Sequence, residues 1–364
     1  MQNLHFAHPI PDDTYMVGQR MLDEHGNVVP EPTPGALTRY YYSTTEAPGK
    51  GRIMYPDMLG PRKVRSQVFT VLQSPGTYVF TRLMQATITN NIKDVKEYAS
   101  IDAGRSLPNG VSALMIAATQ GHEECIKILA KYEQRLTQTD GTTALMEAVC
   151  AGHTSLVGLF PKEIGMRRKD GWTALMLATQ RNNVEMIKKL KKEAGLTAGD
   201  GITALMIAAN NDNMAAVNEL IKAEAGIRTT SGWTVLMGAA EMKNVELAKK
   251  LVKQEAGMAK LDGWTALMSA TRAGSLEIVQ LLAKEEAGMV MKTDGSCAMM
   301  WAALLGHQDI CEYLYDYEYD IRTTDGHGVI DYAINGGCQS IVKYLENRRL
   351  QEERSKNKTK AKRK

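Results

Sequence analysis

Three groups of side chains in this 364-residue chain are candidates for chemistry. Met84, Met115, Met146, Met176, Met206, Met237, Met268 and Met300 recur at nearly constant intervals, and a row of thioethers is a soft-metal ligand set. Packing is the competing role. Units spaced about 10 Å apart, the separation of packed helices, place one polarizable filler in each layer instead of a cluster. His122, His153 and His307 each follow a glycine. Imidazole is the usual metal ligand and proton carrier, but these three lie far apart along the chain and are expected to be structural. Trp172, Trp233 and Trp264 are three of the four tryptophans and share one register position. Trp is a frequent interface anchor because it buries a large rigid area at little entropic cost.

Enzyme motifs are absent. The chain contains no G-x-x-x-x-G-K-[ST], no G-x-S-x-G and no H-E-x-x-H. Residues 1–75 carry none of the Gly-rich loop, H-R-D or D-F-G signatures of a kinase. No catalytic residue, cofactor or metal is therefore expected. The five cysteines (Cys125, Cys150, Cys297, Cys311, Cys338) are odd in number and form no C-x-x-C pair, so neither a disulfide framework nor a zinc site follows. A reducing, cytoplasmic setting is expected. The first residues contain Pro9 and Pro11 and no apolar run typical of a signal peptide, and no stretch approaches the roughly 18 apolar residues of a membrane span. A net charge of +3 is too close to balance for the whole chain to bind nucleic acid or membrane, so any such binding must be local.

The candidates are positioned by a repeat. Gly110-Val-Ser-Ala-Leu-Met115 returns as Gly141-Thr-Thr-Ala-Leu-Met146, Gly171-Trp-Thr-Ala-Leu-Met176, Gly201-Ile-Thr-Ala-Leu-Met206, Gly232-Trp-Thr-Val-Leu-Met237, Gly263-Trp-Thr-Ala-Leu-Met268 and Gly295-Ser-Cys-Ala-Met-Met300. Weaker copies stand at Thr81-Arg-Leu-Met84 and at Gly326, where Asp331 replaces the Met. A period in this range means stacked supersecondary units, with degenerate copies at the ends. Asp-Gly or Asn-Gly supplies a tight turn, and the Thr or Ser two residues on is a helix N-cap. A short helix runs through Ala-Leu-Met-x-Ala and stops at Gly121, Gly152, Asn182, Asp212, Gly274, Gly306 or Gly337, with Lys243 the exception. A second helix shows i, i+3, i+4 apolar spacing, as in Leu276, Val279, Leu281 and Leu282, and ends at Ala-Gly. The expected fold is an all-α solenoid of about nine helix-turn-helix units, built on an aliphatic and Met core because aromatics make up only 6% of the chain.

These residues resemble the ankyrin repeat. Gly121-His122, Gly152-His153 and Gly306-His307 match its G-H pair, and Leu276-Glu-Ile-Val-Gln-Leu-Leu282 is close to its second helix. The resemblance covers about residues 79–346. It implies a protein-binding scaffold or adaptor whose partners meet the concave face. The family's T-P-L-H reads T-A-L-M here, which removes a rigid proline and the histidine of the usual Thr-His bonds between repeats. That variant looks like the ankyrin-only families of diplomonad flagellates. The turns between units are short, so stunted fingers are expected.

Matched onto this family, the partner-binding positions are the finger residues Val111, Trp172, Ile202, Trp233 and Trp264, with Arg181, Asn211, Met242 and Arg272 beside them. The alternative for the tryptophans is that each indole lies on the adjacent finger and stiffens the stack. Domain limits are expected at 1–75 for an irregular Pro-rich segment, 76–347 for the repeats and 348–364 for a basic tail. Tyr40-Tyr41-Tyr42 and Tyr55 either bind a partner or pack on the first repeat. The tail holds nine Lys or Arg against two Glu. It is either a solvated extension of the last helix, an import patch that would take the protein to the nucleus, or a tether to nucleic acid, cytoskeleton or lipid. A monomer is expected.

Overall fold

Each Thr-Ala-Leu-Met phrase starts a helix for a local reason. The N-cap hydroxyl of Thr81, Ser112, Thr143, Thr173, Thr203, Thr234 or Thr265 accepts a hydrogen bond from the Met N–H three residues on. One of the unpaired amides of the first turn is thereby satisfied. A computed structural model of the protein describes residues 14–17, 20–23 and 80–361, with side chains placed from 80 to 355.

The chain divides into two compact units, Met1–Gly199 with Asn210–Leu220, and Asp200–Ala209 with Ile221–Lys364. In the first, helices Arg82–Ile88, Ala113–Gln120, Ala144–Ala151 and Ala174–Gln180 each lead a repeat, and Ile92–Asp102, Glu123–Glu133 and Val184–Lys189 return from it. In the second, Val235–Glu241, Ala266–Ala273, Ala298–Leu305 and Val329–Asn335 lead, and Val245–Glu255, Leu276–Glu286, Gln308–Glu318 and Gln339–Ala361 return. The all-α repeat reading holds for 80–361. Within the segment read as mostly irregular, Thr14–Val17 pairs antiparallel with Arg20–Asp23. Tyr40-Tyr41-Tyr42 and Tyr55 lie outside the described residues.

The eight Met residues are at most 5% exposed and fill the core of their repeats. Asp331, in the equivalent place of the last repeat, is half-exposed and accepts from Gly328 N–H at 2.7 Å, so it serves as a helix cap. The turns are tight, as expected. Gln138 N–H bonds to Thr142 C=O at 2.8 Å and Lys260 N–H to Trp264 C=O at 2.8 Å. One backbone bond joins successive fingers within each unit, such as Lys169 N–H to Asp140 C=O at 2.8 Å in the first and Leu261 N–H to Ser231 C=O at 3.0 Å in the second.

Two repeats are one residue shorter than their neighbours, and the deletion is absorbed by tightening. Thr154–Leu159 is a 3₁₀ helix, and Val184–Lys189 runs into the 3₁₀ segment Lys191–Glu193. A 3₁₀ turn rises about 2.0 Å per residue against about 1.5 Å, so fewer residues cover the same height. Pro161 reinforces the first case by ending α geometry before it. Lys243 takes the left-handed conformation (φ 55°) used by the Gly, Asn and Asp stops of other repeats. The exception to the stop pattern is one of residue type only.

Candidate protein-interaction surface

The finger column is largely buried. Trp172, Trp233 and Trp264 are 6%, 9% and 8% exposed, and Ile202 is buried with them. Only Val111, at the start of the column, is half-exposed. The tryptophans read as contact residues are thus covered in this structure. The physical reason lies five residues along. A Cβ on Gly238 would lie 2.5 Å from the Trp233 ring, so that indole rests on its own repeat's first helix where there is no side chain. Trp264 N–H donates to Ser269 Oγ at 2.7 Å in the same relative place. Both rings therefore lie against the first helix of their own repeat.

The residues beside the column differ. Arg181 and Asn211, in the first unit, are half-buried, and Asn211 Nδ2 donates to Asn182 Oδ1 at 3.3 Å. In the second unit Met242 and Arg272 are exposed. The Arg272 guanidinium lies 4.8 Å from the centroid of the Trp264 ring and 2.6 Å from Glu241 Oε1. Trp301 meets Trp264 edge-on, ring centroids 5.4 Å apart. Burial holds the Glu241 carboxyl above the ordinary range, against the pull of Arg272. This face therefore has a rigid aromatic floor with a fixed cation above it. In the same unit the aliphatic side chains Met242, Leu261 and Leu305 are 47%, 70% and 45% exposed.

Sequence reasoning missed the residues that fix these helices in place. Glu133, Glu193, Glu224, Glu255, Glu286 and Glu318 end the second elements of their repeats, Glu163 lies in the turn just after its own, and all seven are at most 1% exposed. Each directs Oε2 at the second amide of its repeat's first helix, at 2.6–2.7 Å, from Leu114 through Leu267 to Met299. In the first unit Oε1 of Glu133, Glu163 and Glu193 reaches back to the preceding repeat, to the N–H of Gly104, Arg135 and Gly165 at 2.8–3.1 Å. In the second, Glu255, Glu286 and Glu318 do the same to Gly226, Gly257 and Gly288 at 2.9–3.0 Å. These bonds stitch neighbouring repeats where T-A-L-M lacks the Thr-His pairs. The signal was visible as a Glu at constant register, directly before Ala-Gly in four units. Burial pushes the carboxyls up and the donated amides pull them back, with a net raised pKa for Glu133, Glu163, Glu193, Glu255, Glu286 and Glu318.

The histidines also tie repeats together. His122 Nδ1 lies 2.9 Å from Thr87 C=O and His153 Nε2 lies 3.1 Å from Thr119 C=O. The His307 ring fills the space where a Cβ of Gly274 would stand.

A family model described as ankyrin repeats in three copies matches residues 83–170, 155–230, 191–259, 205–293 and 284–357. No curated protein matches the chain. Among the described residues, no helix is long and apolar enough to cross a membrane.

Proposed function

Because the chain belongs to the ankyrin-repeat family, whose repeats generally mediate protein–protein interaction, we propose that it is a non-enzymatic adaptor. It captures protein partners on the fingers and first-helix ends of its second unit. The observation that carries this reading is the exposure of Met242, Leu261 and Leu305 in the same unit as Arg272, itself held by Glu241 and Trp264. Aliphatic anchors beside a preset cation suit a partner that offers an apolar side chain next to a carboxylate. Catalysis finds no support in the motifs, and members of this family are typically scaffolds without enzymatic activity.

A cytoplasmic location is supported by cysteines that are odd in number and form no C-x-x-C pair, with Cys125, Cys297 and Cys311 buried as thiols. The T-A-L-M phrase supports a place among the ankyrin-only families of diplomonad flagellates, and we read the protein as a monomer.

The test is a combined Met242→Glu, Leu261→Glu and Leu305→Glu variant. All three positions are exposed, so helicity and melting are expected to stay as in the wild type. Quantitative capture from the native cell should lose the partners that the wild type retains. Equal capture by a folded variant rejects this face.

A further inference from the structure

Helix Gln339–Ala361 changes character along its length. Its first turns pack, with Ile341, Val342 and Leu345 buried. Arg348 is then held from three sides, by Asp316 at 3.4 Å, by Glu352 at 3.6 Å and by the Tyr315 ring, whose centroid is 5.1 Å away. Tyr315 in turn stacks on Tyr319 at 4.6 Å. Arg349 pairs with Glu353 at 3.3 Å. The two glutamates are the last acids in the sequence. Beyond them come seven Lys or Arg, no aromatic residue and nothing apolar larger than Ala361, and the backbone stays helical to that alanine.

Register decides what such a helix fits. At 3.6 residues per turn, Lys356 and Lys360 fall in line with Arg349, while Arg354 and Lys358 fall roughly 160° away. Within the helix, basic positions from Arg349 to Lys360 therefore fall on two opposed register faces. Without an apolar face the helix has nothing to bury in a membrane interface. Without aromatic residues it has no platform for unstacked bases. A helix about 10–12 Å across matches the roughly 12 Å width of the major groove of B-form DNA, where phosphates flank it on both sides.

We propose that this helix, clasped by Tyr315 and Asp316, is a docking element for double-stranded DNA that meets the phosphates along both walls of the major groove. The contact is independent of DNA sequence, and it does not rest on the protein-binding face of the second unit.

Fluorescence anisotropy with the full chain tests this against four probes: a 20-base-pair DNA duplex, a single strand of that length, polyglutamate and phosphatidylserine vesicles. The duplex is expected to bind tightest, with a slope of log affinity on log salt of about −4 or steeper, since each neutralised phosphate contributes roughly −0.9. Ending the chain after Glu353 should abolish binding, and Lys356→Gln with Lys360→Gln should weaken it without touching the repeats. Ser355→Pro breaks the helix but keeps every charge, so it should weaken duplex binding about fivefold or more and leave polyglutamate binding unchanged. Polyglutamate or vesicles bound as tightly as the duplex would overturn the proposal. So would an unaltered duplex affinity in the truncated or Ser355→Pro protein.

Discussion

Glu286 Oε2 accepts a 2.6 Å hydrogen bond from the backbone N–H of Leu267, nineteen residues earlier in the chain, while its Oε1 accepts from Gly257 in the preceding repeat. One carboxylate thus closes its own repeat and fastens it to the preceding one. Glu286→Ala leaves both buried amides without an acceptor, with a loss of about 2–6 kcal/mol at about 1–3 for each orphaned donor. Glu286→Gln keeps one acceptor oxygen and should lose less. Urea unfolding, together with amide exchange at Leu267 and Gly257, checks the order.

The same residues set a pH dependence. Unfolded, Glu133, Glu163, Glu193, Glu255, Glu286 and Glu318 titrate near 4.5; folded, they titrate higher, chiefly through burial. The folded chain therefore holds these protons more tightly than the unfolded chain. Their contribution to stability is fully present below the unfolded pKa and is lost as pH rises through the folded values. Acidification from neutral pH toward the ordinary carboxylate range should raise the urea midpoint. Glu286→Gln should flatten that rise.

Met206 is buried in the core of its repeat. Met206→Asp places an unpaired charge there and should destabilise the protein by about 3 kcal/mol or more. An unchanged melting temperature would mean that the Met register faces solvent.

Lys243 and Arg135 hold φ at 55° and 76°, where other repeats place Gly, Asn or Asp. Lys243→Gly and Arg135→Gly should each stabilise by about 0.5–1 kcal/mol by relieving left-handed strain. Thermal melts of the single and double variants check the sign and the additivity.

Trp264 packs within its repeat, bonded to Ser269 and covered by Arg272. Trp264→Ala should cost about 3–5 kcal/mol of stability, as expected for a large buried ring. Loss of partner capture with stability intact would restore the tryptophan as a contact residue.

The repeat, its caps and its Met core were legible because each depends on residues within one turn of helix: Thr265 caps Met268, and Gly274 ends the same helix. The glutamates were not, although their register is constant. A Glu at a helix end usually faces solvent, and Glu286 is recognised only when amides 19 and 29 residues away are brought to it. The burial of the tryptophans was hidden for a related reason. Family register placed Trp233 and Trp264 on an open face, while the small residues Gly238 and Ser269 on their own first helices let the rings fold down. What stays accessible is the row beside them, where Met242 and Arg272 were read as contact residues.

Site-specific photo-crosslinking in the native cell tests the proposed role most directly. A photoreactive residue placed singly at Met242, Leu261 or Leu305 reports on the fingers and first-helix ends, and one at Lys253 or Lys284 reports on the exposed side of the second helices. Protein adducts should form at the first three positions and not at the other two. Adducts confined to Lys253 and Lys284, or none at any position in a folded protein, would contradict an adaptor that works through this face.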